Sequence, residues 1–262
     1  MDVQDISLWQ LGSAYLFVLL SLGICAARGI PKYKDLVLAS LRMTGQLALA
    51  GWVLRWVLQD PQPWVTVVIF LVMEAFASFS VFRRVKGTLT PALKRAAAGS
   101  LFLGTTASLT YFILVVVQVH PWYAPQYGIP LGGMIIGNAM TAVSLAAGRL
   151  LNDTSLQRDQ IEGALMLGAR PQAIMKPIVD RTFDAALMPT LNSMLGMGIV
   201  FLPGLMTGQI LSGSSPVTAI KYQIAIMLGI LGSVSLSTIL FLLWGSRSLF
   251  NRQAQFQDLG NK

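Results

Sequence analysis

The 262-residue chain contains one cysteine, one histidine and few charges. With Cys25 alone, neither an intrachain disulfide nor a cysteine metal cluster can form, and Cys25 is expected to pack as a small apolar side chain. The sole histidine, His120, stands in the segment His120-Pro-Trp-Tyr, where it reads as a solvated side chain; it could assist metal release, but only weak oxygen donors lie nearby to complete a metal site. There is no HExxH, and no pair of acidic residues lies within one apolar run, so an intramembrane enzyme would lack its nucleophile–base machinery. A GxxxxGK[ST] motif is also missing, so energy from ATP has to come from a partner. Charged residues make up only 11% of the chain, against about a quarter in an ordinary soluble domain.

Apolar residues fill the space, at 54%, and they are grouped. Ser7–Ala27, Ala96–Val119, Ile129–Gly148, Ala185–Ile220 and Tyr222–Ser246 run without Asp, Glu, Lys or Arg. About 20 apolar residues span the hydrocarbon core of a bilayer. Two further spans carry isolated charges: Leu36–Leu58 with Arg42 and Arg55, and Trp64–Phe82 with Glu74. The expectation is an all-α, polytopic membrane protein forming one domain over 1–262. Its seven or so spans fall near 7–27, 36–58, 63–82, 96–119, 129–149, 185–212 and 217–245. The first residues carry Asp2 and Asp5, unlike the basic start of a signal peptide, so the first span is expected to be retained.

Of the 19 basic residues, 16 fall in Arg28–Lys34, Arg83–Arg95, Arg149–Arg181 and the tail from Arg247. The intervening connections, 59–63, 120–128 and 212–216, hold one charge, Asp60. The positive-inside rule puts the N-terminus outside and the C-terminus in the cytoplasm. The net charge of +8 is then a record of topology and not a nucleic-acid footprint, since the basic residues are spread over short loops. All six tryptophans fall near expected span ends, where indole rings favour the interface.

The longest polar stretch, 152–184, is amphipathic. Ile161, Leu165 and Gly168 share one helical face; Gly168 suits a helix C-terminus and Pro171 the first turn of the next helix. The pattern predicts helix, tight Gly-Ala turn, helix, with Pro177 breaking or kinking the second one. Physics alone leaves open whether this is a surface loop or a docking element.

Glu162, Ala164, Gly168 and Ala169 match the E-x-A-x-x-x-G-A core of the EAA-type loop of ABC transporter permeases, with Pro171 just beyond and Gly163 in place of the usual second alanine. More widely, the chain resembles the FetB-type (UPF0014) permeases. The resemblance is carried by Gly132-Gly-Met-Ile-Ile-Gly-Asn-Ala-Met140, Glu162–Pro171, Leu202-Pro-Gly-Leu-Met-Thr-Gly-Gln209 and Pro216-Val-Thr-Ala-Ile-Lys-Tyr-Gln223. It implies a coupling helix before the last two spans, seated in a groove of a separate FetA-type ATPase. It also implies two permeases with two ATPases in a bacterial cytoplasmic (inner) membrane, and metal-ion export with iron as the associated cargo. ATP and magnesium would sit on the partner, with no cofactor on this chain. An ion-coupled secondary transporter is the alternative, although no matching halves are visible. An ABC permease for a non-metal substrate is another.

Several residues are candidates for the transport path. Glu74 is the acidic residue deep in an expected span, and ionisable groups there need a partner or a wet site. Arg42 lies at similar depth one span earlier, with Gln46 one turn further on the same side. An Arg42–Glu74 ion pair is expected, either structural or in a cation path. Asn138 in a Gly-rich span, and Asn192 with Ser193, are each either interhelical hydrogen-bonding groups or path-lining ones. Their oxygens suit hard cations, whereas Met134 and Met140 read as flexible packing. No metal ligand set is identified. Pro203-Gly204, in the middle of a 36-residue charge-free run, is expected to break that span.

Overall fold

A computed structural model describes residues 6–85, 89–251 and 255–256. Among them the chain is helical throughout, as expected. The helices are α1 (Leu8–Ala14), α2 (Leu16–Ala27), α3 (Tyr33–Gln59), α4 (Pro63–Arg84), α5 (Pro91–Tyr111), α6 (Pro125–Leu156), α7 (Arg158–Met166), α8 (Pro171–Gly196), α9 (Gly204–Leu211) and α10 (Pro216–Ser248). A π-helical turn, Phe112–Val117, extends α5. Six stretches are long and apolar enough to cross a membrane: Leu8–Ala27, Tyr33–Gln59, Pro63–Arg84, Pro91–Val117, Pro125–Leu156 and Pro216–Ser248. The expected span 185–212 is not one helix. Its first part is the end of α8, and helix resumes only at Gly204.

The chain divides into two compact units, residues 1–61 with 211–213, and 62–210 with 214–262. In the first, Ser7 and Gln10 form a capping box that starts α1, and α2 packs along α3. The Tyr15 and Thr44 hydroxyls hydrogen-bond between those two helices. In the second unit, α4, α5, α6, α8 and α10 all begin at a proline. Proline has a helix-compatible φ and lacks an N–H that would be unsatisfied in a first turn anyway.

Helix α10 packs against α5, α6 and α8, while α4 packs on α5 and α6. Small residues set the closest approach. A Cβ on Gly104 of α5 would lie 2.8 Å from the Ser237 Cα of α10, so only glycine allows this separation. The buried side chains form two clusters. One joins Leu93, Leu101, Leu150, Ile178 and Phe241; the other joins Phe112, Ile135, Ile226 and Ile230. The first lies toward the basic helix ends. There Arg170 at the start of α8 and Arg247 at the end of α10 line one cavity, and Arg149 of α6 and Arg181 of α8 line another.

Candidate functional site: the basic helix–turn–helix and the intramembrane carboxyl

The segment after α6 takes the expected helix–turn–helix form. Helix α7 ends in a two-bond C-cap: the Gly168 N–H donates to Leu165 O at 2.9 Å, and the Ala169 N–H to Ala164 O at 3.0 Å. Gly168 has φ +83°, the left-handed geometry this cap requires and glycine adopts cheaply. Arg170 is extended, as the residue before a proline prefers, and Pro171 opens α8. The α8 helix continues through Pro177 and Pro189 to Gly196, so Pro177 does not end it.

Helix α7 is anchored on one face and bare at its tip. Ile161 is 1% exposed within the cluster at the basic end, with Leu165 packed against it. Glu162 accepts a 2.8 Å hydrogen bond from Arg158 Nε one turn back, both half-exposed. At the turn, Met166 and Leu167 are 87% and 90% exposed. The sequence pattern set Ile161, Leu165 and Gly168 on one helical face and did not single out these two. Their position just before the left-handed glycine is the signal that could have found them.

Glu74 sits on α4, 7% exposed, where one carboxyl oxygen pairs with the Thr105 hydroxyl of α5. Its other oxygen is buried with no hydrogen-bond partner among the described residues. Thr105 was not anticipated; only the packing of α4 on α5 brings the two together. Arg42 and Gln46 are exposed on α3, in the first unit.

The remaining candidates lie on α6 and α8, which pack together. Asn138 is exposed, its amide donating to Met134 O one turn back at 2.7 Å. Thr141, also exposed, donates to Gly137 O at 3.0 Å. Asn192 is exposed near the end of α8, and the Ser193 hydroxyl donates to Pro189 O at 2.9 Å. Beyond Gly196 the chain turns sharply: Gly198 has φ +83° and its N–H donates to Phe201 O at 3.0 Å. Pro203 directly precedes α9, which begins at Gly204. Among the described residues, no group of three or more His, Cys, Asp or Glu side chains is placed to hold a metal ion.

The sequence model of the family described as "Uncharacterised protein family (UPF0014)" matches residues 8–250. The UPF0014 membrane protein YjkA of Bacillus subtilis is 31% identical, over 95% of this chain and 98% of its own length. Protein ALUMINUM SENSITIVE 3 of Arabidopsis thaliana is 33% identical, over 94% and 88%. The probable iron export permease protein FetB of Escherichia coli is 29% identical, over 97% and 96%. No solved structure matches. The chain belongs to the UPF0014 family of membrane proteins.

Proposed function

We propose that this chain is the membrane-spanning permease subunit of an ATP-driven metal-ion exporter, with iron as cargo, working with a separate FetA-type ATPase. One observation carries the reading: a helix–turn–helix at the basic end presents two bare apolar side chains, Met166 and Leu167, at a tip fixed by the Gly168 cap. Bare apolar side chains on an otherwise polar segment are suited to a groove on a soluble partner. Ile161 roots the same helix in the core, so a push on the tip is transmitted to α6, α8 and α10. Glu162, Ala164, Gly168, Ala169 and Pro171 build this element and are its coupling residues. ATP and magnesium belong to the ATPase.

The metal cargo is suggested by two relatives, one named for probable iron export and one for aluminium sensitivity. For the path we favour the polar faces of α6 and α8. Asn138, Thr141 and Asn192 are exposed on helices whose buried residues are mostly apolar. Polar side chains at membrane depth face a partner or a wet cavity. A second copy of the chain supplies one, giving two permeases with two ATPases around a passage lined by amide and hydroxyl oxygens that suit hard cations. The basic end faces the cytoplasm, and the protein resides in the bacterial cytoplasmic membrane.

The test is metal flux in vesicles holding this chain and its ATPase, across Fe, Mn, Zn and Al. ATP-dependent movement of iron is expected, and it is abolished by Met166→Asp with Leu167→Asp. Flux that follows a proton gradient without ATP would overturn the reading in favour of an ion-coupled transporter. ATP turnover that no metal stimulates would point to a non-metal cargo.

A further inference from the structure

We infer that a cavity between α4, α5 and α6 is a binding site for a compact lipophilic organic cation that enters from the lipid phase. The cavity has a volume of about 570 Å³, and all its lining residues lie in the second unit. Phe70, Phe102, Leu109 and Trp122 are among its walls, with Glu74, Thr106 and Thr110 as polar points in an otherwise apolar lining. Phe102 on α5 and Trp122 in the turn before α6 are exposed, so the cavity opens onto the surface of this unit.

Glu74 decides the chemistry. It is more than nine-tenths buried, and one of its oxygens meets no donor among the described residues. The other is served by Thr105, whose hydroxyl also lies 2.7 Å from Leu101 O, so one hydrogen is shared between two acceptors. A carboxyl short of donors in an apolar cavity is costly, and a charged N–H donor is the group that relieves it most. The aromatic walls Phe70, Phe102 and Trp122 suit a cation as well. A single carboxyl does not make a metal site.

Depth and size narrow the class. Glu74 is eleven residues from Pro63 and ten from Arg84, in the middle of α4. At about 1.5 Å per residue, the ammonium of a phospholipid headgroup, which sits at the interface, stays well short of it. The cavity volume is that of a single drug-sized molecule. The ligand is therefore an amine-bearing, lipid-soluble cation. This site is separate from the α6–α8 path and does not rest on the export reading.

The experiment uses the full chain in dodecyl maltoside with rhodamine 6G, a lipophilic cation bearing N–H groups, followed by fluorescence anisotropy. Nile red serves as the neutral probe. Saturable rhodamine 6G binding is expected, displaced by dodecylamine and not by dodecanol, a comparison that needs no variant. Glu74→Gln should weaken rhodamine 6G at least tenfold and Nile red less than threefold, whereas Leu109→Trp, which fills the cavity, should weaken both. The proposal fails if rhodamine 6G does not saturate, if dodecanol displaces it as well as dodecylamine does, or if Glu74→Gln leaves it unchanged. It also fails if binding appears only in Arg42→Leu, which would make the chain's own arginine the partner of the carboxyl. None of these failures touches the export reading, which is decided by ATP-dependent metal flux.

Discussion

Helices α3 and α10 are both long and apolar enough to cross a membrane, yet they are held in different ways. In α3, Val57 is the one buried residue, and α1 and α2 have none. In α10, thirteen residues are buried, from Ala219 to Ser246. A spanning helix satisfies its own backbone hydrogen bonds, so the bilayer keeps α2 and α3 helical without tertiary burial. Association among α5, α6, α8 and α10 needs shape, because lipid tails are as apolar as leucine and give no hydrophobic reward for contact. The first unit is specified by hydropathy, and the second by close fit.

Paired glycine substitutions should break or sharpen that contrast, and they carry the largest expected effect. A leucine at Gly104 meets Ser237 backbone atoms at 2.8 Å, which no rotamer change relieves. Gly104→Leu should cost about 3 kcal/mol and leave little monodisperse protein. At Gly51 on α3, no heavy atom lies within 4 Å of an added Cβ. Gly51→Leu should stay within about 0.5 kcal/mol. Thermal unfolding with size-exclusion profiles compares them, and equal loss in both would erase the distinction.

The next effect concerns binding. Met166→Asp with Leu167→Asp should cost about 2 kcal/mol of ATPase affinity, as loss of a central apolar anchor does, with melting unchanged. Pull-down of the ATPase together with a melting curve separates the two. Smaller still is Asn138→Leu. Among the described residues its side chain bonds only within its own helix, so melting should move by no more than about 2 °C while ATP-driven metal flux falls. A drop in melting without a change in flux would make Asn138 an interhelical residue and not a path one.

Much of the fold was legible because bilayer thickness imposes a length on each apolar run. The Gly168–Pro171 turn was legible for a similar reason, since φ +83° admits few residues. Pro203-Gly204 signalled the break in the sixth expected span, but where that break begins was not legible. Charge-free composition continues from Ala185 to Ile220, but Gly198 takes a left-handed turn and the chain folds back on Gly196, which hydropathy does not register. Neither was the Glu74–Thr105 contact, because the depth argument considered the preceding span, whereas α4 packs on α5 and α6. Met166 and Leu167 escaped because the pattern followed the single face of Ile161, Leu165 and Gly168, and these two residues ahead of the cap lie off it.

The smallest prediction tests whether the contrast reaches the helix–turn–helix. Glu162, at the head of the E-x-A-x-x-x-G-A core, is bonded by Arg158 within its own helix at 2.8 Å. Both side chains are about 40% exposed, so the pair is an ordinary surface i,i+4 bridge worth about 0.3–0.5 kcal/mol and weakened by salt. Arg158→Ala should therefore barely move the melting temperature, because Ile161 and not the ion pair roots α7. Freed from Arg158, the Glu162 carboxylate becomes available to a partner. If Glu162 serves only α7, Arg158→Ala and Glu162→Gln should weaken ATPase binding alike. If the carboxylate also contacts the ATPase, Glu162→Gln should weaken binding further while Arg158→Ala leaves it intact, and the added loss should shrink as salt is raised.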